Sequence, residues 1–181
     1  MHKFNLQKYY FISEYDTNLI TVQEKKTNII YRNYIKKIDI QKILKLKEFC
    51  KKRGYKFFLS NNVKLAMNLN LNGVYLPSFN KSYHHLFFNF KKKFEIIGSA
   101  HSFKEIKIKE MQGVNTIFLS SLFKINKNYL GLNKFKLLSK FTKKKIIALG
   151  GISAQNIKKL NLTDVAGYSG ITIFKKKGPY K

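Results

Sequence analysis

Eight short runs rich in β-branched and aromatic residues recur along the chain, separated by longer amphipathic stretches, and this alternation limits the fold more than any other feature. The runs are Tyr9–Ser13, Asn28–Arg32, Lys56–Ser60, Gly73–Pro77, Glu95–Ala100, Thr116–Ser120, Lys145–Gly150 and Gly167–Thr172. Between them, Ile40–Cys50 places apolar residues at 40, 43, 44, 46 and 50, largely on one helical face, and Gly54 ends it. Asn62–Asn70 is a second helix carrying Val63, Leu65, Ala66 and Leu69. Ser102-Phe103-Lys104-Glu105 has the spacing of a capping box and opens a helix in the fifth repeat, and helices over Asn133–Phe141 and Ala154–Leu160 follow. Eight βα repeats predict a (β/α)₈ barrel in the α/β class. An open doubly wound sheet is the competitor, but its glycine-rich phosphate loop usually follows the first strand, and none does so here. Such a barrel typically needs about 250 residues and seldom fewer than about 200. At 181 residues the chain is a minimal barrel, a single domain over 1–181 with short first and last repeats.

The segment Ile146–Asn156 reads as a buried strand that stops on Gly150-Gly151 and passes into a helix capped by Ser153. Without a Cβ, two glycines let a ligand approach the backbone, and a following helix would aim N–H groups and its positive dipole end at a phosphate. In barrels of this class a phosphate site commonly follows strands seven and eight. The alternative is a strand-to-helix turn in which glycine only eases the corner.

Composition narrows the setting. No apolar run approaches the roughly 20 residues that span a bilayer, and no hydrophobic signal core precedes the first strand. The chain is therefore expected to be cytoplasmic and off the membrane. Cys50 is the sole cysteine, which excludes an intrachain disulfide and a multi-cysteine metal site. The net charge is +27, and Arg32 and Arg53 are the only arginines among 36 basic residues. Lysines spread over the whole chain suit non-specific adhesion to nucleic acid in low salt rather than sequence reading, which favours arginine.

Several segments fall at matching strand ends in one family. They are Phe58-Leu59-Ser60-Asn61-Asn62-Val63-Lys64-Leu65-Ala66, Asn72-Gly73-Val74-Tyr75-Leu76, Ile97-Gly98-Ser99-Ala100-His101-Ser102, Phe118-Leu119-Ser120-Ser121-Leu122-Phe123 and the Gly-Gly segment. With them the chain resembles the thiamine phosphate synthase/TenI superfamily, as a short, divergent member, from Tyr9 to about Phe174. The resemblance implies coupling of a hydroxymethylpyrimidine diphosphate to a thiazole phosphate, with Mg²⁺ on the diphosphate. It also implies small phosphorylated thiamine precursors as partners. The family's strand-two Gln-x-Arg-x-Lys aligns with Ile30-Tyr31-Arg32-Asn33-Tyr34, which keeps Arg32 as a bidentate phosphate ligand. Its Asn-Asp pair after strand three and Asp after strand four become Ser60-Asn61 and Asn80, so the metal positions hold amides, and Glu14 is a possible compensating carboxylate.

Ser99 matches a residue that contacts the diphosphate or the reacting pyrimidine. His101 matches a histidine that transfers protons in the TenI-like branch, a thiazole tautomerase; the other role open to it is orienting its loop. The family's anion-binding strand-six loop corresponds to Ser120, Ser121, Lys124 and Lys127, of which Lys127 is the chosen ligand. Gly150, Gly151, Ser169 and Gly170 form the implied thiazole-phosphate cradle. His84 and His85 read as structural. Synthase-type transfer leads, so the chain is read as an enzyme; tautomerase chemistry, or a non-catalytic barrel binding phosphate ligands or RNA, are the alternatives. Oligomeric state is not legible.

Overall fold

A computed structural model of the chain describes residues 6–14, 20, 23, 26–34 and 38–175. Most of the short first repeat, Tyr15–Lys26, and the tail after residue 175 lie outside these residues. Eight parallel strands close into a barrel in chain order: β1 (Gln7–Ile12), β2 (Thr27–Tyr31), β3 (Phe57–Ser60), β4 (Gly73–Leu76), β5 (Glu95–Ala100), β6 (Thr116–Leu119), β7 (Lys145–Leu149) and β8 (Gly167–Gly170). Every predicted strand is present within one or two residues; the last stops at Gly170, and Thr172 instead opens a short helix.

The two-residue side-chain period divides the strand residues into two cores. Tyr9, Phe11, Ile30, Phe58, Tyr75, Ile97, Phe118 and Ile147 fill the interior. Their alternates, among them Tyr10, Ile29, Phe57, Val74, Ile117 and Ile146, pack outward in one cluster with the helices. Inside, Phe118 meets Tyr9 and Tyr75 edge to face at 4.9 and 5.5 Å, and Phe11 meets Tyr75 likewise at 5.2 Å. So many rings need small residues beside them. β1 and β8 close the ring with Gln7 opposite Gly167 and Tyr9 opposite Ser169. A Cβ on Gly167 would sit 2.2 Å from the Gln7 carbonyl oxygen. The Ser169 hydroxyl, fully buried, donates to the Tyr9 carbonyl at 2.8 Å.

The helices follow their caps. In α1 (Ile40–Arg53) the Asp39 carboxylate accepts from the Lys42 N–H, and Gly54, at φ 70°, ends the helix. Its buried face is Ile43, Leu46 and Cys50; Ile40 of the predicted stripe is half exposed. α2 (Val63–Asn68) is capped by Asn62, and α3 (Phe103–Met111) by Ser102. α4 (Gly131–Ser139) starts two residues earlier than predicted, and α5 (Thr172–Lys175) brings Phe174 into stacking contact with Tyr168.

One expectation fails. The helix over Ala154–Leu160 is absent: a turn leads instead to a 3₁₀ segment, Ile157–Leu162. Ser153 is not its cap, because the Asn156 side chain accepts from the Ser153 N–H and donates to the Gly151 carbonyl. That self-contained turn takes the place of a first helical turn.

Gly167→Ala should destabilise the fold by about 2 kcal/mol or more through overpacking. Gly54→Ala, with open space around its Cβ, should cost only about 1 kcal/mol of left-handed backbone strain. Urea denaturation midpoints with unchanged slopes would check the pair.

Candidate active site at the carboxyl mouth of the barrel

The pleat that turns Phe11, Ile30, Phe58 and Ile97 inward also sets the residues beyond them at the carboxyl mouth. Arg32 lies two residues past Ile30, and its guanidinium carbon sits 5.0 Å from the Phe11 ring centroid. Ser60 is two past Phe58 and its hydroxyl is 2.7 Å from the Tyr34 hydroxyl. The Tyr34 ring in turn meets exposed Phe79 edge to face at 5.5 Å. Ser99, two past Ile97, lies close enough to the buried Tyr75 hydroxyl to act on its titration. Burial pushes the Tyr75 hydroxyl above its ordinary range, while Ser99 and the Arg32 charge pull the other way. Tyr34 shifts up for the same reason, opposed by Ser60 and Arg32. Both phenols therefore stay neutral donors near pH 7, and Arg32 acts electrostatically on both. The sequence reading missed these tyrosines; Tyr34 stands where the family has lysine, and Tyr75 reads as ordinary core.

His101 follows β5 with its ring Nδ1 2.8 Å from the Ser120 carbonyl oxygen and 3.0 Å from the Ser120 hydroxyl. A carbonyl only accepts, so Nδ1 carries a hydrogen, and the tautomer this selects has its lone pair on Nε2. The predicted capping box is shifted by one residue. Ser102 Oγ accepts from the Glu105 N–H, but the Glu105 carboxylate accepts from the His101 N–H at 2.7 Å rather than from Ser102. The start of α3 and the histidine are thus fixed together.

The predicted metal positions hold a hydrogen-bonded clasp instead of open oxygens. Asn61, in left-handed backbone at φ 60°, accepts at Oδ1 from Asn80 Nδ2 at 2.7 Å. Asn80 Oδ1 accepts from the Ser82 N–H at 2.9 Å and from Gln112 Nε2 at 3.3 Å. Behind the clasp Lys109, fully buried, donates from Nζ to the carbonyls of Pro77 and Asn80 and to Gln112 Oε1 at 2.8–2.9 Å. Burial lowers the Lys109 ammonium to about 8, and the Glu105 charge opposes that shift. Glu14 is exposed just beyond β1. Among the described residues no three acidic, histidine or cysteine side chains are grouped to hold a metal ion. A hard dication prefers anionic oxygens. Two neutral amides whose oxygens already accept hydrogen bonds, beside a buried ammonium, do not fit Mg²⁺. Lys109 could have been noticed three residues after Ile106, in phase with the buried face of α3, but the abundance of lysine hides it.

At the other side of the mouth, the loop after β6 lies on the β7 end. The Gly150 carbonyl accepts from the N–H groups of Phe123 and Lys124. Gly150 and Gly151 have φ of 99° and 75°; a Cβ would come 2.4 Å from Ser121 Oγ at the first and from the Lys124 nitrogen at the second. The glycines admit this loop, and the helix expected to follow them is absent. Ser121 Oγ donates to the Lys124 carbonyl, and Lys124 and Lys127 are exposed on the same loop. Gly170 ends β8, whereas the Ser169 hydroxyl is committed to barrel closure, which leaves only its backbone for a ligand. A separate cavity of about 670 Å³ opens at the amino end of the barrel, lined by Tyr9, Lys26, Lys56, Glu95 and Lys145 among others. His85 is buried and bonded to the Gln112 carbonyl, a structural role as expected. No helix among the described residues is long and apolar enough to cross a membrane.

Comparison with known proteins agrees on the family. A family model described as thiamine monophosphate synthase matches residues 18–174. A thiamine-phosphate synthase of Methanococcus vannielii is 34% identical over 82 residues, 42% of this chain but only 40% of that protein. One from Helicobacter pylori strain Shi470 is 28% identical over 148 residues, 77% of this chain and 68% of its own length. Among solved structures, a thiamine phosphate pyrophosphorylase of Pyrococcus furiosus superposes with a TM-score of 0.76 at 19% identity, covering 94% of this chain and 89% of that one.

Lys109→Met should cost about 2–4 kcal/mol, since it keeps the stem but strands three buried oxygens. Chemical denaturation at pH 7 would show this loss.

Proposed function

The chain belongs to the thiamine monophosphate synthase family, and we propose that it couples a hydroxymethylpyrimidine diphosphate to a thiazole phosphate. In that reaction the bond between the pyrimidine methylene carbon and the diphosphate oxygen breaks, its electron pair leaving with diphosphate. The thiazole nitrogen supplies the pair for the new C–N bond. The observation that carries the reading is the convergence of one guanidinium with two neutral phenol–serine pairs, Tyr34–Ser60 and Tyr75–Ser99, at a single barrel mouth. Arg32 meets charge growing on the departing diphosphate, and its seat on the Phe11 ring holds it in place before reaction. Ser99 and Ser60 supply hydroxyls to the same anion. The exposed edge-to-face pair Tyr34 and Phe79 offers a surface against which a heteroaromatic ring packs. The thiazole phosphate is assigned to the Gly150, Gly151 and Gly170 backbone together with Lys127. Asn61 and Asn80 do not fit a divalent cation, and the diphosphate is met by Arg32 and the hydroxyls alone.

A second reading is favoured by one contact. His101, with Nδ1 fixed on the Ser120 carbonyl, presents Nε2 as a base, which suits tautomerisation of a thiazole phosphate.

Incubating the protein with both precursors and quantifying thiamine phosphate should show product above a no-enzyme control. Folded protein giving none would remove the coupling assignment. Arg32→Ala should lower kcat/KM for coupling by about 100-fold, and unchanged kinetics would take Arg32 out of the mechanism. His101→Ala should slow tautomerisation by about 100-fold or more if that activity is present, while coupling falls far less. Retained tautomerisation would sink the second reading.

A further inference from the structure

The polar groups behind Asn61 form a chain with a fixed direction. An ammonium only donates, so Lys109 Nζ sets Gln112 with Oε1 toward itself and Nε2 outward. Gln112 Nε2 then donates to the carbonyls of Asn80 and Ser82, at 3.1 and 2.8 Å, and to Asn80 Oδ1. A backbone N–H also only donates, so Ser82 independently fixes Asn80 with Oδ1 inward. Asn80 Nδ2 is thereby turned toward Asn61 and occupies its Oδ1. With one Oδ1 lone pair taken by Asn80, exposed Asn61 also offers a ligand its Nδ2, a donor. Every link runs from a buried positive charge toward the mouth, and the mouth receives N–H polarity where a metal site would present oxygen.

We infer that this mouth binds the diphosphate of its substrate as the metal-free anion. Asn61 Nδ2–H and Arg32 serve as its donors, and the Lys109–Gln112–Asn80 chain holds Asn61 in that sense. A carboxylate pair recruits a dication that then bridges to phosphate. The amide clasp removes the need for the bridge by reversing the polarity of the protein surface. Donor hydrogen bonds to an anion are the strong, charge-assisted kind, and Lys109 adds a positive charge that opposes a second cation nearby. The inference rests on the phosphate-handling reading of this mouth, but it concerns binding alone.

The test uses inorganic pyrophosphate as the probe, titrated calorimetrically into the full chain at physiological ionic strength, once in EDTA and once in excess Mg²⁺ at matched ionic strength. Affinity in EDTA should equal or exceed that in Mg²⁺, whereas Asn61→Asp/Asn80→Asp should bind at least about tenfold more weakly in EDTA and regain affinity with Mg²⁺. Lys26→Gln/Lys145→Gln, which discharges the cavity at the opposite end, should leave the affinity unchanged. Circular dichroism establishes that each variant is folded. Four results would each overturn the inference: no binding, wild-type binding at least about tenfold tighter with Mg²⁺, a double aspartate variant that binds as well in EDTA as wild type, or loss of binding in the opposite-end variant. Product formation is not read. A chain that fails to couple the precursors yet binds pyrophosphate in EDTA loses the coupling assignment and keeps this one.

Discussion

The pairing of β1 with β8 is the contact on which the rest of the molecule depends. A parallel sheet must have both faces covered, and an open one also leaves two rows of unpaired backbone groups at its edges. Closure removes both edges. The join is made at close range. Gly167 passes under the Gln7 carbonyl with no room for a side chain, and two residues later the Ser169 hydroxyl donates to the Tyr9 carbonyl. Outside the same seam Phe174 lies against Tyr168 and Tyr10, so even the four-residue α5 covers the closing strands.

Closure fixes the interior, and the interior positions the site. Phe11, Tyr75 and Phe118 interlock edge to face. Phe11 is also the seat of Arg32, and Tyr75 is the partner of Ser99. The last layer of the core and the first layer of the mouth are therefore shared residues. A guanidinium lying on a packed ring loses little further freedom when it binds an anion, which is how preorganisation reaches a surface group in so small a scaffold.

The strands were legible because alternation of apolar residues along each run is set by two well-packed faces, and nothing local competes with it. Gly54 and Ser102 were legible as helix signals because each acts through its own backbone neighbours. The segment after Gly151 misled for the converse reason. Ser153 followed by Ala154 resembles a helix start, but only Ile157 and Leu160 in Ala154–Leu160 are large apolar residues, and Asn156 ties its side chain back to Ser153 and Gly151. Ser169 stands at a strand end as expected, and a register partner, invisible in one dimension, takes its hydroxyl. Lys109 and Gln112 were hidden because their significance lies in contacts 29–32 residues away, across the loop after β4.

Among the described residues most lysines are solvated and add only a diffuse positive field. Lys109 differs because each acceptor it meets is a neutral oxygen: two backbone carbonyls and one side-chain amide. A buried ammonium satisfied by a carboxylate would be neutralised where it stands. One satisfied by dipoles keeps its net charge and aligns those dipoles, and each aligned amide passes the orientation to the next. Replacing metal-binding carboxylates by asparagine therefore does more here than weaken a cation site. Next to an unneutralised ammonium, an amide can turn its nitrogen outward, which no carboxylate can do, and the same two positions then favour an anion.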